Sequence, residues 1–127
     1  MASELYEKGM KIRREVLGDD HVDRALAGVD DFNREFQQMV TEHAWGTIWA
    51  RPGLSKKQRS LLNLAMLSAL NRPHELKMHL KGALKNGVTK AEIREIFLQV
   101  AIYAGIPAGV DSFRIAREAF AEVEKGS

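Results

Sequence analysis

The stretch Ser55 to Asn86, SKKQRSLLNLAMLSALNRPHELKMHLKGALKN, constrains the fold more than any other part of the chain. It predicts two helices parted by a tight break at Asn71-Arg72-Pro73, because proline cannot continue a helix but suits the first turn of the next. Ser55 and Gln58 have the spacing of a capping box that opens the first helix. Leu61, Leu62, Leu64, Ala65, Met66, Leu67, Ala69 and Leu70 make that helix apolar almost all round, which predicts burial. The second helix, Pro73 to Lys85, has a core stripe of Leu76, Leu80, Ala83 and Leu84. Glu75 and His79 lie one turn apart on it, on a shared face. A buried helix leading into one that bears Glu and His is a way to hold an acid–base pair inside a protein.

The flanking segments carry the same period. Ser3 is positioned to cap a helix ending at Leu17, with Leu5, Ile12 and Val16 on its apolar side and Gly18 as its stop. Asp19-Asp20-His21 reads as a short loop and Val22 to Ala27 as about two turns, on a 3.6-residue period. Asp30 reads as an N-cap. Phe32, Phe36, Met39, Val40 and His43 recur at intervals of three and four, predicting an amphipathic helix to about Trp45 that ends at Gly46. No period explains Thr47 to Leu54, where Pro52-Gly53 marks a turn. With two aromatics and Arg51 nearby, that loop suits a pocket wall. Asn86-Gly87 is a left-handed stop. Thr89-x-x-Glu92 is a second capping box, with Val88 and Ile93 as its hydrophobic staple. Ile93, Ile96, Phe97, Val100, Ala101 and Ala104 mark the next helix. Gly105-Ile106-Pro107 breaks the chain before a last helix presenting Val110, Phe113, Ala116, Phe120 and Val123. No segment alternates with period two, so the predicted fold is all-α, a bundle of about six helices.

Composition narrows the functional classes. A chain of 127 residues is read as one domain, residues 1–127, large enough to bury a core without staples. The absence of cysteine removes disulfides, thiolate metal sites and thiol nucleophiles. Four histidines offer no helical face with a third ligand, so no metal is expected. A net charge of +2, with basic residues scattered among acids, does not suggest nucleic acid as a partner. No apolar run is long enough to span a membrane, and MASELYEKGMKIRRE lacks the apolar core of a signal peptide. A cytoplasmic protein is expected.

Two readings of Glu75 and His79 stand side by side. In one they are a border ion pair on a helix surface, worth about 0.3 kcal/mol. In the other, Glu75 raises the pKa of His79 and holds it protonated as a general acid, with Gly82 leaving room beside Glu75 for a ligand or another subunit. Arg51, Arg59 and Arg72 border the central helix and have the forked geometry that grips carboxylates, although arginines near helix ends are commonly solvated. Trp45 and Trp49 are read as core or as pocket wall. His43, continuing an apolar stripe, is read as a core histidine and as a weaker candidate donor to substrate.

The segment RSLLNLAMLSALNRPHELKMHLKGALKNGVTKAEI resembles the core motif of the carboxymuconolactone decarboxylase family, within the AhpD-like superfamily. GMKIRREVLGDDHVDRAL, DFNREFQQMVTEHAWGTIWARPGL and IYAGIPAG extend the likeness to most of the chain and to the family's 4-carboxymuconolactone decarboxylase branch. Peroxidase members of the superfamily carry C-x-x-C followed by a histidine. Aligned on His79, their cysteines fall at Arg72 and Glu75, and a relay glutamate falls at Ser60. Thiol peroxidase chemistry is therefore not available here.

The resemblance implies a cofactor-free lyase of aromatic-acid breakdown, converting 4-carboxymuconolactone into 3-oxoadipate enol-lactone and carbon dioxide in the protocatechuate route of the β-ketoadipate pathway. It implies His79 and Glu75 as catalytic residues and a small dicarboxylate lactone as substrate, bound by Arg51 and Arg72 with His43 and Trp45 beside them. It also implies a ring-shaped homo-oligomer, a trimer or hexamer. A related lyase acting on another lactone or acid, and a non-catalytic helical binding protein, are the alternatives.

Overall fold

Single residues in the left-handed region turn most of the corners of this chain. Gly18 (φ 94°), Asn71 (φ 59°), Gly87 (φ 91°) and Gly105 (φ 112°) each sit just past a helix end. Glycine adopts that conformation freely and asparagine tolerates it. The computed structural model describes residues 3–126, and all regular structure among them is helical. In order these are α1 (Glu4–Leu17), α2 (Asp19–Ala27), α3 (Arg34–Met39), a π-helix (Val40–Ile48), α4 (Lys56–Ala69), α5 (Pro73–Lys85), α6 (Lys90–Ala104) and α7 (Ile106–Glu124). The count exceeds the expected six, in part because the single helix expected from Asp30 to Trp45 is divided into α3 and the π-helix. Among the described residues no helix is long and apolar enough to cross a membrane.

The chain divides into two compact units, Met1–Lys56 and Lys57–Ser127. In the first, Ser3 caps α1 by accepting from the Tyr6 N–H and donates to Glu42 Oε2 at 2.6 Å. The expected loop at Asp19-Asp20-His21 is instead the first turn of α2. Its two aspartates suit a helix N-terminus, and Arg14 reaches both Asp19 and Asp23. Asp30 caps a turn rather than a helix, accepting from the N–H groups of Phe32 and Asn33.

The expected stop at Gly46 is overturned. The helix runs on to Ile48, and its winding is π: Trp49 N–H donates to Ala44 O, five residues back, at 3.0 Å. A π turn winds more slowly than an α turn. Residues four apart, Thr41, Trp45 and Trp49, therefore stay on one buried face, distinct from the exposed stripe of Phe32, Phe36, Met39 and His43 that the sequence period picked out. Trp45 and Trp49 join Ile12 and Val16 in the core of this unit. Gly46 is there for close packing. A Cβ on it would meet Leu5 O at 2.6 Å, and one on Gly9 would meet Thr41 O at 1.9 Å and Gly46 N at 2.8 Å.

The second unit is built from α4 to α7 around Leu64, Leu76, Leu80, Val88, Ile93, Phe97, Ile115 and Ala119. The capping box of α6 is present in full: Thr89 Oγ1 accepts from Glu92 N–H, and Glu92 Oε1 accepts from Thr89 N–H at 2.9 Å. That backbone donor, with Lys57 at 3.2 Å, holds the Glu92 carboxyl below the usual carboxylate range. Val88 and Ile93 are both buried, as a staple requires. Lys77 and Lys81 of α5 both pair with Glu122 of α7.

Two expectations about burial fail. α4 is not buried all round: Leu64, Ser60 and Ser68 face the core, but Leu62, Met66 and Leu70 form an exposed stripe. On α7 the buried face is Gly109, Ser112, Ile115, Ala116 and Ala119, whereas Val110 is exposed and Phe113 and Val123 are partly so. Small residues face inward because α6 and α7 approach closely; a Cβ on Gly109 would meet Ala101 Cβ at 2.8 Å.

Gly9→Ala is expected to destabilise the protein by at least about 1–3 kcal/mol, the usual cost of overpacking. Gly53→Ala, with nothing within 4 Å of the added carbon, serves as the near-neutral comparison. Urea unfolding of the two variants checks this, and equal midpoints would contradict the close approach.

Candidate functional site

The break between α4 and α5 sets the geometry of the Glu75–His79 helix. Asn71 turns the chain, Arg72 N–H donates to Leu67 O at 3.0 Å, and α5 starts at Pro73. Burial of Leu76, Leu80 and Ala83 then fixes the rotation of α5 about its axis. Glu75 and His79 fall beside that stripe, each half-buried, while Arg72 is exposed at the helix N-terminus. At intervals of three and four, the three residues climb one edge of a single helix. A cation, a carboxylate and an imidazole thus share one edge that solvent reaches. Gly82, expected to open space beside Glu75, is itself buried and belongs to the packed side of α5.

Sequence reasoning missed a polar feature next to this edge. A cavity of about 10 Å³, roughly room for one water, is lined by Ser68, Asn71, Arg72, Leu76, Asp111 and Ser112, among others. The hydroxyls of Ser68 and Ser112 are hydrogen-bonded to each other inside the core. Ser112 Oγ also donates to Ala108 O at 2.7 Å, so its proton is committed there and Ser68 is the donor of the pair. Ser60 and Ser68, two turns apart in an otherwise apolar run, were the available signal. Neither Glu75 nor His79 lines this cavity.

The other three candidates lie in the first unit. His43 is exposed on the π-helix, not a core histidine, because Phe32, Phe36 and Met39 of the same stripe are exposed too, Phe32 at 95%. Trp45 is 5% exposed and its ring centroid lies 4.8 Å from that of Trp49. Arg51 is exposed just beyond the π-helix, its N–H donating to Ile48 O at 3.1 Å. One charged group of this unit went unremarked in the sequence. Arg13 is buried, with Nη1 donating to Gln37 Oε1 at 3.2 Å and Thr41 Oγ1 at 3.3 Å, and desolvation lowers its pKa. Its polar partners sit at the junction of α3 with the π-helix and steady that change of winding. Among the described residues no group of three or more His, Asp or Glu side chains is placed to hold a metal ion.

A family model described as "Carboxymuconolactone decarboxylase family" matches residues 34–118. The chain belongs to that family. The matched span takes in all six candidate residues: His43, Trp45, Arg51, Arg72, Glu75 and His79. Among relatives, the chain is 45% identical over 118 residues to a 4-carboxymuconolactone decarboxylase of Acinetobacter baylyi, covering 93% of this chain and 88% of that one. It is 42% identical over 123 residues to a nitrosuccinic acid decarboxylase of Metarhizium robertsii, covering 96% and 86%. It is also 61% identical over 41 residues to a 4-carboxymuconolactone decarboxylase of Pseudomonas putida, 32% of this chain and 85% of that sequence. The carboxymuconolactone decarboxylase family fold is thus all-helical in this chain.

Burial separates the six residues experimentally. Alanine at exposed His43, Arg51 or Arg72 is expected to change stability by no more than about 0.5 kcal/mol, whereas Trp45→Ala is expected to cost about 3–5 kcal/mol. Chemical denaturation of the four variants checks the ranking. A stable Trp45→Ala protein would show that this ring is not core.

Proposed function

We propose that this chain is a cofactor-independent carboxy-lyase that converts 4-carboxymuconolactone into 3-oxoadipate enol-lactone and carbon dioxide, a step of protocatechuate breakdown in the β-ketoadipate pathway. The observation that carries this is the 45% identity across 93% of the chain to a protein of that activity. The family match spans parts of both compact units, which supports reading the chain as one catalytic domain.

The chemistry suits a protein without a prosthetic group. The departing carboxylate sits on a ring carbon that is vinylogous to the lactone carbonyl. When the bond to carbon dioxide breaks, its electron pair runs through the ring double bond onto the lactone oxygen. The dienolate then takes a proton on ring carbon. The substrate is its own electron sink, so the protein has only to bind a dianion, stabilise the oxyanion and deliver the proton.

His79 is assigned the proton delivery, and Glu75, on the same helical edge, the orientation of its ring. Arg72, exposed at the start of α5, is assigned a substrate carboxylate, where the helix N-terminus adds its own positive field. The nitrosuccinic acid decarboxylase relative favours a second reading. In a 2-nitro diacid the nitro group beside the departing carboxylate takes the electron pair, so the demands on the protein are the same and only the acceptor differs.

Incubation with freshly generated 4-carboxymuconolactone, without added cofactor, is expected to consume the lactone and release carbon dioxide. His79→Gln is expected to lower kcat by about 10²–10⁴, the usual worth of a general acid, and Arg72→Ala to raise KM. A folded protein that leaves the lactone untouched overturns this reading, and turnover of 2-nitrosuccinate instead selects the second.

The chain is also proposed to work as a homo-oligomer, a trimer or hexamer. Support comes from large apolar side chains exposed on the isolated chain: Leu62, Met66 and Leu70 along α4, and Ile102 at 77% and Tyr103 at 82% on α6. Contiguous apolar surface of this kind marks interaction sites. Light scattering is expected to give three or six subunits, and a monomer at assay concentration would contradict it.

A further inference from the structure

α6 and α7 leave the corner at Gly105 as an antiparallel pair in a constant register. Gly109 lies against Ala101, Phe113 stands edge-on to Phe97 with centroids 5.8 Å apart, and Lys90 Nζ lies 4.8 Å from the centre of the Phe120 ring. Continuing that register brings Arg117 opposite Ile93 and its neighbour Arg94. Along α7, Phe113, Ala116, Arg117 and Phe120 follow the three-four spacing of one helical edge, and Lys90, Ile93 and Arg94 do the same on α6. Together these seven residues line a groove of about 310 Å³, within the range of small-ligand sites.

The groove has an apolar body and a basic rim. Ile93 and Ala116 are buried and form its floor, and Phe113 and Phe120 are its aromatic walls. Three cations line it and no carboxylate does. Lys90 is compensated outside the groove by Glu124 at 2.9 Å. Among the described residues Arg94 pairs with Glu95 through Nε at 3.6 Å, a contact that leaves the two terminal nitrogens of its fork available. Arg117 has no ion pair among the described residues.

We infer that this groove binds a small organic anion with a flat apolar body, of which an aromatic carboxylate is the simplest form. The ring would lie between Phe113 and Phe120 over Ile93 and Ala116, and the carboxylate would take the forks of Arg94 and Arg117. Charge complementarity selects this occupant: a neutral ring would satisfy the floor and walls but offer no acceptor to the terminal nitrogens of the two arginines. None of the six residues in the decarboxylase reading lines the groove, so the inference stands independently of that reading.

The test titrates 2-naphthoate into the full-length protein, followed by backbone amide NMR, with neutral 2-naphthamide as the comparison. Naphthoate is expected to bind with a Kd below about 1 mM and to shift amides of α6 and α7, in His79→Gln as in the unsubstituted protein. The double variant Arg94→Gln/Arg117→Gln is expected to weaken naphthoate by about tenfold or more, the scale of a lost charge-assisted hydrogen bond, and to leave naphthamide unchanged. Shifts confined to residues outside α6 and α7, equal affinity for acid and amide, or binding indifferent to the double variant would overturn the inference. So would a changed subunit number for that variant in light scattering, since a second copy of the chain would then fill the groove.

Discussion

Helices that meet at a single residue impose the main constraint on this architecture. With Gly18 between α1 and α2 and Gly105 between α6 and α7, there is no loop to absorb error, so the direction of each helix is tied to that of its neighbour. The turn between α4 and α5 is nearly as tight, and it holds a non-glycine residue, Asn71, in the left-handed region. Close approach then follows where side chains are absent, at Gly9 against the π-helix and at Gly109 against α6. Burial of the aliphatic stripes supplies the favourable free energy, roughly 1.5–3 kcal/mol for each large side chain fully removed from water. The corner residues decide which stripes can meet.

The same constraint places the candidate chemistry. Because α5 begins immediately after the Asn71 corner, Arg72 is held at its N-terminus, and burial of Leu76 and Leu80 turns Glu75 and His79 to the edge of the core. Half-burial suits an acid–base pair. Full burial would disfavour the charged forms, and full exposure would leave water to compete for the proton. The relatives of this chain include one named for a lactone and one named for a nitro diacid.

Much of the molecule's apolar surface is left uncovered in the single chain. The exposed edge of α4 and the residues around the α6–α7 corner are not a failed core, for each of these helices has another face that is fully buried. A sequence records that a residue is apolar without recording what will cover it. For this reason the central helix, apolar all round, reads as buried, while the isolated chain buries only the side carrying Leu64.

Local chemistry was legible in the sequence. The Ser3 cap, the Gly18 and Gly105 stops, the Thr89/Glu92 capping box with its Val88–Ile93 staple and the limits of α5 all depend on residues within a few positions of one another. The core stripe Leu76, Leu80 and Ala83, the position of Glu75 and His79 on one helix edge and the family itself were legible for the same reason or from direct likeness. What only the tertiary structure decided depends on partners distant in the chain. The π winding of Val40–Ile48 aligns Thr41, Trp45 and Trp49 with α1, and no 3.6-residue period announces it. Gly46, which reads as a stop, is a packing residue because Leu5 lies against it. The inward face of α7 is its small side, since Gly109 must clear Ala101. Residue type sets the local conformations a chain can adopt; which of its apolar faces is buried depends on which other face comes near enough to exclude water.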